Sequence, residues 1–293
     1  METITKSSNT AVQIQTIIQA QRDFFASNAT KDINFRKEQL NKLRKLLVTN
    51  EDAIIEALHK DLRKHEFESY VTEIGIVMVD IDKTLSKLKK WASPRKVHTP
   101  PFHYVASSYV KPEPYGNVLI IAPWNYPVQL LLAPLVGAIA AGNTAILKPS
   151  EYAEHTSRLM AKLLNETFDS QYIKVIEGAV TETQILLEEK FDFIFFTGST
   201  KVGSIVYQAA AKHMTPVTLE LGGKSPCIVD TDIHLDYTAK RIIWGKFLNV
   251  GQTCIAPDYL LVDKKIKDAL VAKLKFYIHK FFGENPQQSD SMG

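Results

Sequence analysis

The stretch NVLIIAPWNYPVQLLLAPLVGAIAAGNTAILKPS, residues 117–150, holds two short apolar runs on either side of a longer apolar segment. The run NVLIIAP (117–123) is continuous rather than alternating, as expected of a strand covered on both faces. Pro127 suits the first turn of a helix and Gly142 its end, so a helix is expected between them. TAILKPS (144–150) then reads as a second buried strand.

Downstream the same rhythm repeats. A helix pattern, HTSRLMAKLLNETF (155–168), precedes strand YIKVIEG (172–178) and helix ETQILLEEK (182–190). Strand FDFIFFTG (191–198) then leads into helix KVGSIVYQAAAKH (201–213). Alternating strands and helices predict a doubly wound α/β fold whose parallel sheet is covered on both faces. Ligands of such sheets bind at the carboxyl ends of the strands.

Upstream, AVQIQTIIQAQRDFFA (11–26), FRKEQLNKLRKLLVTNEDAIIEALHKDL (35–62) and ESYVTEIGIVMVDIDKTLSKLKKWA (68–92) carry apolar residues at helical spacing as far as Trp91. Prolines 94, 100, 101, 112 and 114 then interrupt the chain around FHYVASSYV, which predicts an extended excursion from the main body.

The bulk composition narrows the function classes. The 293 residues suffice for one large α/β domain or two smaller ones. A net charge of +3, from 35 basic and 32 acidic residues, is too balanced for nucleic acid or an anionic membrane as main partner. The lysine-rich KLKKWASPRK (87–96) reads as a solvated helix end. The polar N-terminus lacks the apolar core of a signal peptide, and the apolar segment 127–143 is too short and too interrupted to span a bilayer. Cys227 and Cys254 have no metal-ligand spacing and form no disulfide framework, so no metal site and a reducing cytoplasm are expected.

Several chemistry-bearing residues fall where the strands end. APWNYP (122–127) places Asn125 between two prolines, LKPSE (147–151) places Lys148 and Glu151, and FFTGSTKVG (195–203) opens a helix with Gly198 and Gly203. The last lacks the usual dinucleotide fingerprint, yet a helix N-terminus is a ready anion site. In PVTLELGGKSPCIVD (216–230), Glu220 is open to two readings. It is an exposed strand glutamate, or, if both faces are covered, a desolvated carboxylate suited to general base work. Cys227 within SPCIV reads as core packing. Cys254 sits instead in a polar turn, NVGQTCIAPDY, where either a small hydrophobe or an approachable thiol would fit.

Taken in order, PWNYP, LKPSE, FTGSTKVG, LELGGKSP and GQTCIAPDY resemble the aldehyde dehydrogenase superfamily, and TCIAPDY resembles its class 3 branch of fatty and aromatic aldehydes. The resemblance covers essentially the whole chain. It implies a Rossmann-like NAD(P)-binding domain (1–94 and 117–219), a small bridging or oligomerisation excursion (95–116) and the first part of an α/β catalytic domain (220–293). It further implies Cys254 as nucleophile, Glu220 as general base for hydrolysis, and Asn125 as oxyanion donor together with the Cys254 N–H. Trp124, Lys148, Glu151, Gly198, Ser199 and Gly203 would bind the cofactor, NAD with NADP also accepted. The implied reaction oxidises an aldehyde to a carboxylic acid through a thiohemiacetal and a thioester.

Two other classes stay open on the residues alone. A cysteine hydrolase would need a histidine base in a comparable motif, and a non-catalytic nucleotide-binding protein would bind NAD without turnover. The strands VTLEL, PCIVD and YLLVD are expected to build the final segment, a small core by itself. Family relatives continue further, with a glutamate-phenylalanine-glycine-proline motif and a terminal dimerisation strand. The resemblance therefore implies a truncated enzyme, weak or inactive and prone to aggregate, with the homodimer expected of the complete form rather than of these residues.

Overall fold

In the computed structural model, residues 2–293 are described, with side chains from Thr10 onward. Helix α1 (Glu2–Ala26) is followed by α2 (Ile33–Thr49), α3 (Glu51–Leu62), α4 (Glu66–Ser69) and α5 (Gly75–Trp91). Asp32 caps α2 by accepting from the N–H groups of Asn34 and Phe35. The single helical pattern over 35–62 breaks at Asn50, and a π-helical turn, Tyr70–Ile74, joins α4 to α5. Neither interruption is visible in the apolar spacing.

The central sheet has five parallel strands: β3 (Asn117–Ile121), β4 (Thr144–Lys148), β5 (Ile173–Val175), β6 (Phe193–Gly198) and β7 (Val217–Leu221), in the order β5-β4-β3-β6-β7. Every residue of β3 and β4 is buried, which accounts for their unbroken apolar runs. Helices α6 (Gln129–Ala141), α7 (Glu154–Thr167), α8 (Val180–Glu188) and α9 (Thr200–Lys212) connect the strands. The chain winds outward from β3 to β5, then returns to lay β6 and β7 on the other side. The switch point therefore lies beyond the ends of β3 and β6, the place where doubly wound sheets bind ligands.

Two apolar cores result, one on each face. The first joins Leu40, Leu43, Ile81, Val118, Ile120, Leu131 and Leu135. The second joins Ile18, Leu119, Ile121, Ile146, Phe196 and Val206.

Helix α6 starts two residues after Pro127, because the N–H groups of Val128 and Gln129 donate to Glu73 Oε2 at 3.0 and 2.8 Å. At its other end Gly142 takes φ +92°, and a Cβ there would lie 2.7 Å from the Arg36 guanidinium. The excursion is a two-stranded antiparallel ribbon, β1 (Arg95–Val97) with β2 (Ser108–Val110), and Phe102, Tyr104 and Val105 are highly exposed between them.

One expectation is corrected. The strand VTLEL is β7 and pairs in parallel with β6, Thr197 opposite Glu220, so it belongs to the central sheet and not to the segment that follows. That segment has a two-stranded parallel sheet, β8 (Ser225–Val229) and β9 (Pro257–Val262), packed with α10 (Leu235–Phe247) and α11 (Lys267–Phe282). Cys227 is half-buried against that cluster, in keeping with a packing role.

Candidate active site

A cleft of about 880 Å³ opens at the switch point. Four stretches of the sequence bring Trp124 and Asn125, Gly198 and Ser199, Glu220, and Cys254 to its wall. Parallel pairing places the first three groups there: β3, β6 and β7 run side by side and end at the same edge. Cys254 arrives on the loop between α10 and β9, and a Cβ on Gly223 would lie 3.3 Å from its carbonyl oxygen. That gap is tight for a side chain and favours glycine at the end of the LGG turn.

Asn125 is pinned at both ends. Its Nδ2 donates to the Gln252 carbonyl at 2.8 Å. Its own carbonyl accepts from Asn249 Nδ2 at 2.7 Å and from Lys64 Nζ at 3.2 Å. The next residue, Tyr126, shares a 2.6 Å hydrogen bond between its hydroxyl and that of Thr253. The Cys254 loop is thus sewn to the turn after β3 by bonds from both sides.

The loop itself departs from ordinary geometry. Asn249 and Val250 take φ of 51° and 55°, left-handed values that side chains disfavour, and Gly251 takes 79°. Asn249 is held there by its N–H, which donates to Glu68 Oε1 at 2.6 Å. Burial pushes the Glu68 carboxyl above its ordinary range, with the Asn249 N–H and the Lys64 charge opposing that rise.

Beneath the cleft, Lys64 and Glu73 form an ion pair with both side chains fully buried. Burial pushes the Lys64 ammonium down and the Glu73 carboxyl up, and each partner's charge opposes the other's shift. These two residues, with Glu68 and Asn249, are not evident from motif reading. The one sequence signal is that Glu73 shares the buried stripe of its helix with Ile74, Val77 and Ile81, where a charge is out of place.

The other sequence candidates are distributed differently. Lys148 ends β4 beside β3; it is almost fully buried, donates to the Pro149 carbonyl at 2.7 Å and lies 3.8 Å from Glu151. Burial lowers its pKa, and the Glu151 charge opposes this. Neither residue lines the cleft, although both sit at the same sheet edge. Gly203 is also away from the wall. It is buried where α9 crosses β7, and a Cβ there would meet Leu221 Cδ2 at 2.8 Å, so it permits close helix–strand packing. Ser199 caps α9 by accepting from the Val202 N–H at 3.3 Å. Strand β7 is formed, but Glu220 on it is exposed, so the exposed-strand reading of this glutamate holds and the desolvated one does not. Cys254 is exposed as well, an approachable thiol.

Chemically, the cleft combines a thiol, a side-chain amide, a carboxylate and a helix N-terminus. Its position and volume, with the open start of α9 and side-chain-free Gly198, fit a dinucleotide phosphate lying against that helix. No helix among the described residues is long and apolar enough to cross a membrane.

Residues 2–293 match the aldehyde dehydrogenase family. The chain is 53% identical over 270 residues to the 4,4'-diaponeurosporen-aldehyde dehydrogenase of Staphylococcus aureus, covering 92% of this chain and 59% of that protein. It is 48% identical over 280 residues to the dimeric NADP-preferring aldehyde dehydrogenase of Mus musculus, covering 96% and 62%. The solved substrate-bound S. aureus AldH superimposes with a TM-score of 0.93 at 51% identity, over 96% of this chain and 61% of that one. The NADP complex of an NADP-dependent glyceraldehyde-3-phosphate dehydrogenase from Bacillus halodurans gives 0.82 at 30% identity, covering 92% and 57%. The chain therefore spans about three fifths of the length of these relatives. With a switch-point cleft that holds the thiol turn, and a match along its described length, the chain belongs to the aldehyde dehydrogenase family.

Proposed function

We propose that this protein oxidises an aldehyde to a carboxylic acid with a nicotinamide dinucleotide as oxidant. The observation that carries the reading is the convergence of Asn125, Glu220 and Cys254 on one cleft from three separate segments. Cys254 attacks the aldehyde carbonyl, forming a carbon–sulfur bond and an oxyanion. The Asn125 amide and the Cys254 N–H stabilise that oxyanion. Losing one such donor typically costs about 10²–10³ in rate, or roughly 3–4 kcal/mol.

The dinucleotide, when bound, supplies the two-electron acceptor that turns the thiohemiacetal into a thioester. Gly198 and Ser199 at the start of α9 would hold its phosphates, Trp124 would line its path, and Lys148 with Glu151 would meet its ribose. Glu220 takes the proton of a water that attacks the thioester, and the acid leaves as the thiol reforms. The reading takes a small-molecule aldehyde as substrate, and the two cysteines with no disulfide framework fit a reducing cytoplasm. The dimer named for the mouse relative carries over as a proposal for the complete assembly.

A second reading rests on the exposure of Cys254 and Glu220. In that reading the site binds nucleotide but turns over weakly. One experiment separates the two: incubate the purified chain with NAD and a panel of aliphatic and aromatic aldehydes, and follow reduced-cofactor absorbance. Turnover lost in Cys254→Ala supports the first reading. NAD binding with no aldehyde-dependent signal supports the second.

A further inference from the structure

We propose that Lys64 is a positioning residue for the site, acting through the Asn125 carbonyl and the Tyr126 ring to fix the Cys254 loop; the catalytic arm of the test rests on the function proposed above. Lys64 is fully buried, and each of its contacts leads somewhere specific. Glu73 holds the ammonium in place. The Asn125 carbonyl accepts from it at 3.2 Å. The Tyr126 ring centroid lies 4.0 Å from Nζ, within the range of a cation–π contact.

Each contact continues toward Cys254. Asn125 reaches the Gln252 carbonyl through its side chain, and Tyr126 reaches Thr253 through its hydroxyl. Glu73 also receives the first N–H groups of α6, so the same carboxylate fixes the helix that follows Asn125. One buried cation thus ties together α6, the turn after β3 and the thiol loop.

Stability alone is a weak reason for such a pair. Desolvating two charges offsets most of their attraction, and well-packed apolar replacements often cost nothing. Geometry is the stronger reason. The loop is held in left-handed backbone at Asn249 and Val250, and Asn249 Nδ2 binds the same Asn125 carbonyl as Lys64. A loop under that strain needs an anchor that does not move.

The test uses the full chain and the variant Lys64→Met/Glu73→Gln, which removes both charges and keeps an amide oxygen for the α6 N–H groups. A second variant, Tyr126→Phe, cuts the same linkage at its far end without leaving a buried charge unpaired. Amide hydrogen exchange is read residue by residue. The Asn249, Gln252 and Ala256 amides should lose about tenfold or more of their protection in the double variant, and less in Tyr126→Phe, while Leu119 and Ile146 in the sheet keep theirs. In aldehyde oxidation, kcat should fall by about 10²-fold in the double variant with KM nearly unchanged, as expected of a misplaced reacting group.

Uniform loss of protection across sheet and loop would show a merely structural role and overturn the proposal. Unchanged protection in the loop would overturn it equally, as would a wild-type kcat in the double variant. If the double variant does not fold, Tyr126→Phe decides by the same local exchange. A parent chain without aldehyde turnover would count against the proposed function, and the exchange measurement would still decide the role of Lys64.

Discussion

The main-chain N–H of Asn249 donates to Glu68 Oε1 at 2.6 Å, joining residues 181 positions apart. This bond closes the strained turn before Cys254 against α4. Replacing Glu68 by Ala should leave the Asn249 N–H without its partner and destabilise the fold by about 1–3 kcal/mol. Glu68→Gln keeps an accepting oxygen and should cost less, as read by urea titration.

The same carboxyl predicts a pH dependence. Burial raises it above its ordinary value of 4.5, outweighing the Asn249 and Lys64 contributions that lower it. A raised carboxyl binds its proton more tightly in the folded state. Its contribution to stability is therefore complete below pH 4.5 and is lost as pH rises through the raised value. The parent should lose stability relative to Glu68→Gln as pH climbs from 4.5. A constant difference across that range would contradict the assignment.

Cys254→Ala should abolish aldehyde oxidation while NAD affinity, measured by fluorescence quenching, changes little, because in the proposed reaction the thiol meets substrate and does not anchor the nucleotide. Cys227→Ala should act only on stability, by about 1 kcal/mol for a half-buried small side chain. Turnover surviving in Cys254→Ala would remove the thiol from the mechanism.

Glu220→Gln should allow the first oxidation and block the release of acid, since an amide cannot take the proton of the attacking water. Rapid mixing should show about one equivalent of reduced cofactor followed by a stall, the burst expected when a covalent intermediate accumulates. Steady turnover near the parent rate would assign the base elsewhere.

Glu151 should make the site prefer NAD, since a carboxylate accepts from ribose hydroxyls and repels a 2′-phosphate. The nearby Lys148 moderates that repulsion, so preference and not exclusion is expected. Calorimetric titration should give the lower dissociation constant for NAD, and Glu151→Gln should narrow the gap. Tighter binding of NADP by the parent would refute this.

The fold was legible wherever apolar residues repeat locally. Continuous runs such as NVLIIAP and TAILKPS identify strands covered on both faces, and the helix spacing between them forces parallel pairing. Asn125, Gly198, Ser199, Glu220 and Cys254 were candidates because each lies at a strand end or in a turn, and only the ordered motifs' resemblance to a family singled them out; the structure brings all five to one cleft. What local pattern could not supply was pairing. VTLEL looks like a strand in either neighbouring unit, and only its hydrogen bonds to β6 assign it to the central sheet. Likewise Gly203 reads as a loop glycine, yet its small size serves contact with Leu221.

The sequence by itself determined which segments become strands and helices, because these follow from residue type and short-range spacing, and its ordered motifs nominated the candidate site residues through their resemblance to a family. Tertiary structure alone decided that Lys64, Glu68, Glu73 and Asn249 surround Asn125 and the Cys254 loop. Apart from Glu73, a charge set in an apolar helical stripe, these charged and amide groups leave no periodic trace. Their partners are selected by desolvation and hydrogen-bond geometry in the folded interior, among residues that the chain brings together only after the sheet and helices have packed.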